Sequence, residues 1–281
     1  MASRVKIAAC QMDPRIFDKE HNLRRAQTMI TEAASADARL IILPEAALTG
    51  YCFTSLDEAK PLAETIPGPA TQALAALCEE LNVYVIIGMI EVDGADYYNA
   101  AAFMGPEGLI GRYRKTHLPY LGLDRFVTPG REPFQVYDTP IGRIGINICY
   151  DANFPEAARS LALAGADIIA LPTNWPQGRE KIPGLVVPVR AFENRVYFAA
   201  VDRVGEERGF RFLGRSTIAA PTGDVVAQAG PRDEEIVYAE ANLELARRKH
   251  IVIKPGEFEI DPIADRRPEL YGGLVEKEAG S

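Results

Sequence analysis

Residues 142–172, GRIGINICYDANFPEAARSLALAGADIIALP, set strand-like and helix-like sequence side by side in one short stretch. Positions 143–149 form an apolar, β-branched-rich run, with Gly142 and Gly145 allowing close packing, and 167–171 form another. Between them, Pro155 stands where the first turn of a helix has no use for an N–H, and FPEAARSLALAGA continues as a helix. The stretch predicts a strand, a tight junction, a helix and a second strand. Cys149 falls at the junction, where the apolar run stops and an acidic, Pro-containing segment starts.

Further strand-like runs occur at 5–11, 40–44, 83–92, 97–104, 196–204, 214–220, 224–228 and 235–241. Helix-length segments separate several of them. Residues 18–35 space Leu23, Ala26, Met29, Ile30 and Ala33 at helical intervals, and 69–82 open on proline and align Leu74, Leu77 and Leu81. TPIG at 139–142 and PTGD at 221–224 are turn tetrapeptides between strand-like runs and predict hairpins. Hairpins mixed with helical connections predict an α/β fold, its sheet partly parallel and partly antiparallel and covered by helices. With no internal repeat, low-complexity tract or interior linker, residues 1–281 read as a single domain. Residues 254–281, rich in Pro, Gly and charge, read as a tail that packs on another surface such as a second subunit.

The composition, 47% AVILMFWYC and 25% charged, is that of a globular protein, and 281 residues suffice for a sizeable core. Acidic residues outnumber basic ones 39 to 31 for a formal charge of -8, without a block of like charge. Nucleic acid and anionic membrane surfaces are disfavoured partners. The apolar stretch in MASRVKIAACQM is too short for a signal peptide and no segment reaches membrane-spanning length, so a soluble, cytoplasmic protein is expected. Cys10, Cys52, Cys78 and Cys149 lack C-x-x-C spacing and the three histidines are dispersed, which argues against a metal site or disulfide framework. Cys10 and Cys78 sit in strand and helix patterns and read as buried small hydrophobes; Cys52 and Cys149 lie beside turn-like sequence.

Three segments place reactive side chains at strand ends, where open α/β sheets gather ligands. In RLIILPEAALTGY an apolar strand runs into Glu45, which partial desolvation would suit to a general base; the plainer reading is an acid near a helix N-terminus. In GRYRKTHL, Tyr113, Lys115 and His117 share one face of an extended chain, and Arg112, Arg114 and Thr116 the other. An inward Lys115 would need an anionic partner, whereas most lysines are solvated. Cys149 occupies a strand-to-helix junction like that of a nucleophile elbow, although a buried inert thiol is the commoner fate. A Cys–His pair of the papain type has little support. Read singly, each segment favours its structural explanation.

Taken in order, LPEAALTGY, GRYRKTHLP and ICYDANFPE resemble the signature of the nitrilase superfamily, the carbon-nitrogen hydrolases. LALAGADIIALPTNWP, RAFENRVYFAAVDRVG, FLGRSTIAAPTGDVV and DRRPELYG also resemble the family's later blocks, so the likeness covers nearly the whole chain. It implies a four-layer α-β-β-α sandwich, no metal or organic cofactor, and a homodimer or higher homo-oligomer. It also implies Glu45 as general base, Lys115 as the positive group beside a developing oxyanion, and Cys149 as nucleophile, helped by the Tyr150 backbone N–H. The family usually carries a second glutamate in the loop after the lysine. Here PYLGLDRFVTPG offers only Asp124, one methylene shorter, so the loop must approach more closely if Asp124 takes that role.

Nitrile-cleaving members typically follow the cysteine with Trp-Glu, whereas CYD followed by NFPE resembles the amidase and carbamoylase branches. The resemblance thus implies a small-molecule amide substrate, cleaved to acid and ammonia. An N-carbamoyl hydrolase, a nitrilase and a catalytically silent subunit of the same fold are the alternatives. Tyr51, Tyr150, Asn174 and Trp175 are expected to line the substrate pocket, and Glu193 and Asn194 either support the site or end a core-facing helix.

Overall fold

The computed structural model describes residues 3–276, in two compact units that divide between Arg247 and Arg248. In chain order the first unit begins with β1 (Arg4–Gln11), α1 (Lys19–Ser35), β2 (Leu40–Ile42), α2 (Leu56–Ala59), α3 (Pro69–Leu81), β3 (Tyr84–Asp93), β4 (Asp96–Gly105) and β5 (Gly108–Arg114). It continues with β6 (Val136–Thr139), β7 (Gly142–Ile146), α4 (Pro155–Leu163), β8 (Ile168–Pro172), α5 (Val187–Asn194) and β9 (Tyr197–Val201). The short pair β10 (Glu206–Glu207) and β11 (Phe210–Arg211) precedes β12 (Thr217–Ala219), β13 (Val225–Gln228), β14 (Glu235–Asn242) and α6 (Leu243–Arg247).

Two six-stranded sheets result, ordered β14-β1-β2-β3-β4-β5 and β13-β12-β9-β8-β7-β6. Each has a parallel centre. In the first, Ile7 pairs with Leu40 and Leu40 with Tyr84; in the second, Ile144 pairs with Ile168 and Ile168 with Tyr197. The outer pairs are antiparallel, and both expected hairpins are present, β6–β7 through Thr139–Gly142 and β12–β13 through 220–224.

Side-chain alternation builds the layers. Val5, Ile7 and Ala9 of β1 join a core with Ile144, Ile146, Ile168 and Ala199 of the second sheet, while Ala8 and Cys10 turn to Met29 and Ile30 of α1 and Leu74 of α3. Leu161 of α4 and Ala191 of α5 close the far side of the second sheet. The order α1/α3, sheet, sheet, α4/α5 is the expected four-layer α-β-β-α sandwich. Each fully buried Ile or Leu in these layers contributes roughly 1.5–3 kcal/mol.

Three sequence expectations are redrawn. The run at 40–44 pairs only as Leu40–Ile42, because the chain must leave the sheet to present residue 45. Residues 108–114, read only as an extended segment near Lys115, are the full edge strand β5. The second unit starts at Arg248, ahead of the expected tail boundary at Lys254. It holds a hairpin of β15 (Ile251–Lys254) and β16 (Phe258–Ile260) and leaves Val252, Ile253, Phe258 and Leu270 exposed. A lone two-stranded hairpin buries little apolar surface of its own.

Candidate active site

The parallel centre of each sheet runs out into a reactive residue, Glu45 beyond β2 and Cys149 beyond β7. Past β2, Leu43 and Pro44 lead to a fully buried Glu45, and Ala46 takes φ +48°. Gly88 of β3 permits this turn. A Cβ there would lie 2.3 Å from Ala46 N and 2.5 Å from Glu45 Cα, so only glycine lets the backbone carrying Glu45 rest on the sheet.

Lys115 is the first residue beyond β5, and its N–H donates to Asn99 O at 2.9 Å. The predicted alternation holds through Lys115 and is lost beyond it, where Thr116, expected on the opposite face, bonds Asp151 together with Tyr113 and His117. Tyr113 turns into the core between the sheets, while Arg114 makes a bidentate pair with Glu91, 2.7 Å on each arm, and reaches Asp93. Lys115 itself is buried, with Nζ 2.7 Å from Glu45 Oε1 and 2.5 Å from Asp124 Oδ2. Asn99 of β4 spends both amide hydrogens on the same carboxylates, at 2.7 Å to Glu45 Oε1 and 2.8 Å to Asp124 Oδ1. Glu45 Oε2 has no hydrogen-bond partner among the described residues.

The loop that carries Asp124 does approach closely. Gly122, at φ +48°, lies so near Tyr51 that a Cβ would come within 2.7 Å of Tyr51 O. Leu123 N–H donates to that carbonyl at 2.8 Å, and the Tyr51 hydroxyl donates to Asp124 Oδ2 at 2.7 Å. Tyr51 is held in turn by Glu207, whose carboxylate accepts the N–H groups of Tyr51 (2.8 Å) and Cys52 (2.6 Å) and pairs with the buried Arg203 at 2.6 Å. Tyr51 therefore lines the cavity, as expected, and also clamps the acid.

Cys149 opens a 3-10 turn, Cys149–Asn153, directly before α4, with φ +45°. For a residue with a side chain this conformation costs about 1–3 kcal/mol. Asp151 supports it. Its fully buried carboxylate accepts Ile148 N–H (2.8 Å), Tyr113 OH (2.8 Å), Thr116 OH (3.1 Å) and His117 N–H (3.2 Å), and lies 2.6 Å from His117 Nδ1. One side chain thus ties the strand end bearing Lys115 to the turn bearing Cys149. His117, given no role in the sequence, stacks on Phe154 with ring centroids 3.8 Å apart. Arg190 of α5 props the same turn by donating to Ala152 O at 3.0 Å. Glu193 acts one step further out, paired with Arg190 at 2.9 Å, and Asn194 donates to Arg190 O.

Electrostatics follow from this burial. Desolvation raises the Cys149 thiol well above its ordinary range and Glu45 adds to the effect; Lys115, the Asn174 N–H and the Thr173 hydroxyl oppose it. Glu45 is also raised, by burial first, against the pull of Lys115. Burial disfavours the Lys115 ammonium, but Asp124 and Glu45 outweigh it and keep its pKa well above the usual lysine value. The arrangement holds a thiol, a carboxylate of raised proton affinity and a permanent cation together. Burial, with a smaller push from Glu107, raises Cys78 to about 12, and burial with Glu207 does the same to Cys52.

A cavity of about 170 Å³ opens on Cys149, lined by Tyr51, Leu121, Tyr150, Asn174, Trp175 and Arg179 among others. All four expected lining residues are there. Trp175 is seated by its backbone N–H, which donates to Asp202 Oδ1 at 2.9 Å, whereas the side-chain atoms of Asn174 have no hydrogen-bond partner among the described residues. The sequence reading missed Asn99, Asp151, Glu207 and Arg179. A lone Asn inside the apolar strand YYNAAAF was a usable signal for Asn99, and the Asp of CYD was read only for substrate type. Among the described residues no group of three or more His, Cys, Asp or Glu is placed to hold a metal ion, and no helix is long and apolar enough to cross a membrane.

The family model described as carbon-nitrogen hydrolase matches residues 6–250. A nitrilase of Pyrococcus abyssi is 41% identical over 268 residues, covering 95% of this chain and 99% of its own. A human omega-amidase is 36% identical over 278 residues, covering 92% and 94%. Among solved structures, a carbon-nitrogen hydrolase of Helicobacter pylori G27 superposes with TM-score 0.86 at 24% identity, covering 98% and 99%. An amidase of Nesterenkonia sp. AN1, carrying the acetamide moiety of fluoroacetamide on its active-site cysteine, superposes with TM-score 0.79 at 22% identity, covering 96% and 97%. At these identities the two structures speak for the fold.

Proposed function

The chain belongs to the carbon-nitrogen hydrolase family, and from that premise we propose that it cleaves a small amide to a carboxylic acid and ammonia through a thioester on Cys149. The observation that carries this reading is the buried Lys115 clasped between Glu45 and Asp124, beside a cysteine held at positive φ on a small cavity. Cys149 rests as a thiol, so its proton leaves as attack occurs. Sγ bonds to the carbonyl carbon while Glu45, through its free Oε2, takes the proton.

Charge then gathers on the carbonyl oxygen. A lysine ammonium has three donors and Lys115 spends two on carboxylates, which leaves the third for the oxyanion, together with the Tyr150 backbone N–H. When the C–N bond breaks, Glu45 returns its proton to the nitrogen and ammonia departs. Water follows, gives a proton to Glu45 and attacks the thioester carbon; as the C–S bond breaks and frees the acid, Glu45 returns that proton to Sγ and restores the thiol. Asp124, with Asn99, holds Lys115 in place. Tyr51, Tyr150, Asn174 and Trp175 form the substrate walls.

The test is an amide panel with and without hydroxylamine, comparing wild type with Cys149→Ala and reading ammonia, hydroxamate and the Cys149 acyl adduct by mass spectrometry. Matching behaviour of the two proteins across amides, carbamoyl compounds and nitriles would sink the reading. Carbon dioxide released with ammonia would reassign the enzyme to N-carbamoyl substrates. Self-association belongs to the same proposal: Leu163, Leu185, Val189 and Phe192 are exposed on and beside α4 and α5, and sedimentation of the full chain as a monomer would refute it.

A further inference from the structure

Between β9 and β12 the chain makes the short hairpin β10–β11, which belongs to neither six-stranded sheet. Its first strand carries Glu207, buried at 4% exposure yet not a lining residue of the cavity on Cys149. Glu207 Oε2 accepts from Arg203 Nη1 at 2.6 Å, and Oε1 accepts the consecutive N–H groups of Tyr51 and Cys52 at 2.8 and 2.6 Å. Two adjacent donors on one oxygen fix the stretch of backbone that carries the phenol. From there the Tyr51 hydroxyl donates to Asp124 Oδ2 at 2.7 Å, and Lys115 Nζ lies 2.5 Å from the same oxygen.

The other end of the hairpin reaches the second half of the site. Arg211 O accepts Gln177 N–H at 2.9 Å, and Leu213 N–H donates to Trp175 O at 2.9 Å, so the segment bearing Trp175 is stitched to the hairpin by backbone alone. Phe212 N–H donates to Gly205 O at 3.0 Å, and the Phe212 ring lies 4.3 Å from the Arg203 guanidinium, which closes the hairpin around the ion pair. Gly205, at φ +84°, has no room for a side chain: a Cβ would come within 2.2 Å of Asp13 Oδ1, which accepts Arg203 Nη2 at 3.1 Å. One hairpin thus grips Tyr51, beyond β2, and Trp175, beyond β8.

Stability alone gives no reason for a buried pair at this place, since replacing such a pair by well-packed apolar side chains is often neutral or stabilising. Its bonds converge instead on two residues that face the nucleophile. Resting on the amidase reading above, we infer that Glu207 is a positioning residue for amide hydrolysis: it braces Tyr51 so that the phenol holds Asp124 on Lys115, and through the hairpin it fixes the Trp175 wall relative to Tyr51. Trp175 is the single tryptophan of the chain, so the brace carries its own fluorescent reporter.

The experiment is a double-mutant cycle of Glu207→Gln and Tyr51→Phe, read as kcat on the best amide of the panel. Tyr51→Phe keeps the ring and deletes only the bond to Asp124. Each single variant is expected to lower kcat about 10-fold, and the double variant to fall within about 3-fold of Tyr51→Phe, because the brace then supports a hydroxyl that is already gone. Losses that multiply to about 100-fold mean that the two residues act independently, and overturn the inference. Glu207→Asp keeps the charge beside Arg203 and shortens the reach to the two N–H groups, so it should show the same coupling. Failure of both Glu207 variants to fold overturns the inference as well, since Glu207 would then be a residue of the fold. Iodide quenching of Trp175 reads the brace without turnover: Glu207→Asp should raise the quenching constant about 2-fold in a protein that still unfolds cooperatively. Quenching unchanged from wild type counts against the brace and overturns the inference. Raised quenching, with no ammonia released by wild type from any amide of the panel, supports the brace and sinks the amidase reading instead.

Discussion

The two sheets contribute unlike halves to one site. From the first come Glu45, Asn99, Lys115 and the adjoining Asp124, a charged set in which both Asn99 hydrogens, the Lys115 ammonium and both Asp124 oxygens are engaged at 2.5–2.8 Å and, of the four carboxylate oxygens, only Glu45 Oε2 has no hydrogen-bond partner among the described residues. From the second come Cys149, Thr173 and Asn174, uncharged groups beyond the ends of β7 and β8, where both side-chain atoms of Asn174 have no hydrogen-bond partner among the described residues. The difference separates two physical requirements. Charges that must act in a dry site have to be mutually satisfied beforehand, because an unpaired buried charge costs several kcal/mol. A wall that receives a substrate keeps polar capacity in reserve.

That contrast is breakable. Cys149→Ala should give the largest loss of turnover, about 10⁴-fold or more, with a melting temperature close to wild type, since the thiol carries no structural ion pair. Lys115→Met should lower kcat by roughly 10³-fold and, unlike Cys149→Ala, also destabilise the fold by about 3–5 kcal/mol, because two buried carboxylates lose their cation. Urea unfolding of both variants checks this; a Lys115→Met protein as stable as wild type would contradict a mutually locked half.

Asn99→Leu should lower kcat by about 10²-fold and move the acid limb of the pH profile. The sign follows from burial, which raises Glu45, and from the Asn99 hydrogen bond, which lowers it. Wild-type kcat/KM should therefore fall with decreasing pH through a pKa above the ordinary glutamate value, and loss of Asn99 should shift that limb higher. A limb that stays in place would separate Asn99 from the base. Asp151→Asn, which keeps acceptors but removes charge from the link between the halves, should cost about 10-fold in kcat, measurable in the same assay. The smallest effect is expected on the open wall, where Asn174→Ala should change stability by less than about 1 kcal/mol, since among the described residues its side chain has no hydrogen bond to lose. A large loss of stability there would erase the distinction between the halves.

Much of this was legible in one dimension. The parallel centres could be anticipated because strand-helix-strand sequence such as 142–172 has local periodicity, and the hairpins because TPIG and PTGD are self-contained turns. Glu45, Lys115 and Cys149 stood out only as an ordered set, and each alone suited a plainer explanation. Asn99, Asp151, Glu207 and Arg179 stayed hidden for a common reason. Their importance lies in partners far along the chain, Asn99 with Glu45, Asp151 with Tyr113, Glu207 with Tyr51, Arg179 with Asn153.

By itself, the sequence determined the alternation of elements, the layered α/β class and the residue types able to form a thiol, base and cation set, because periodicity, turn chemistry and motif order are local properties. Only the tertiary structure decided that Lys115 is buried rather than solvated, that Asp124 reaches it despite its shorter side chain, and that Arg179 faces the cavity of Cys149. Those outcomes depend on how closely backbones approach, at Gly88 beneath Glu45 and at Gly122 against Tyr51, and such distances are set by packing between segments remote in the chain.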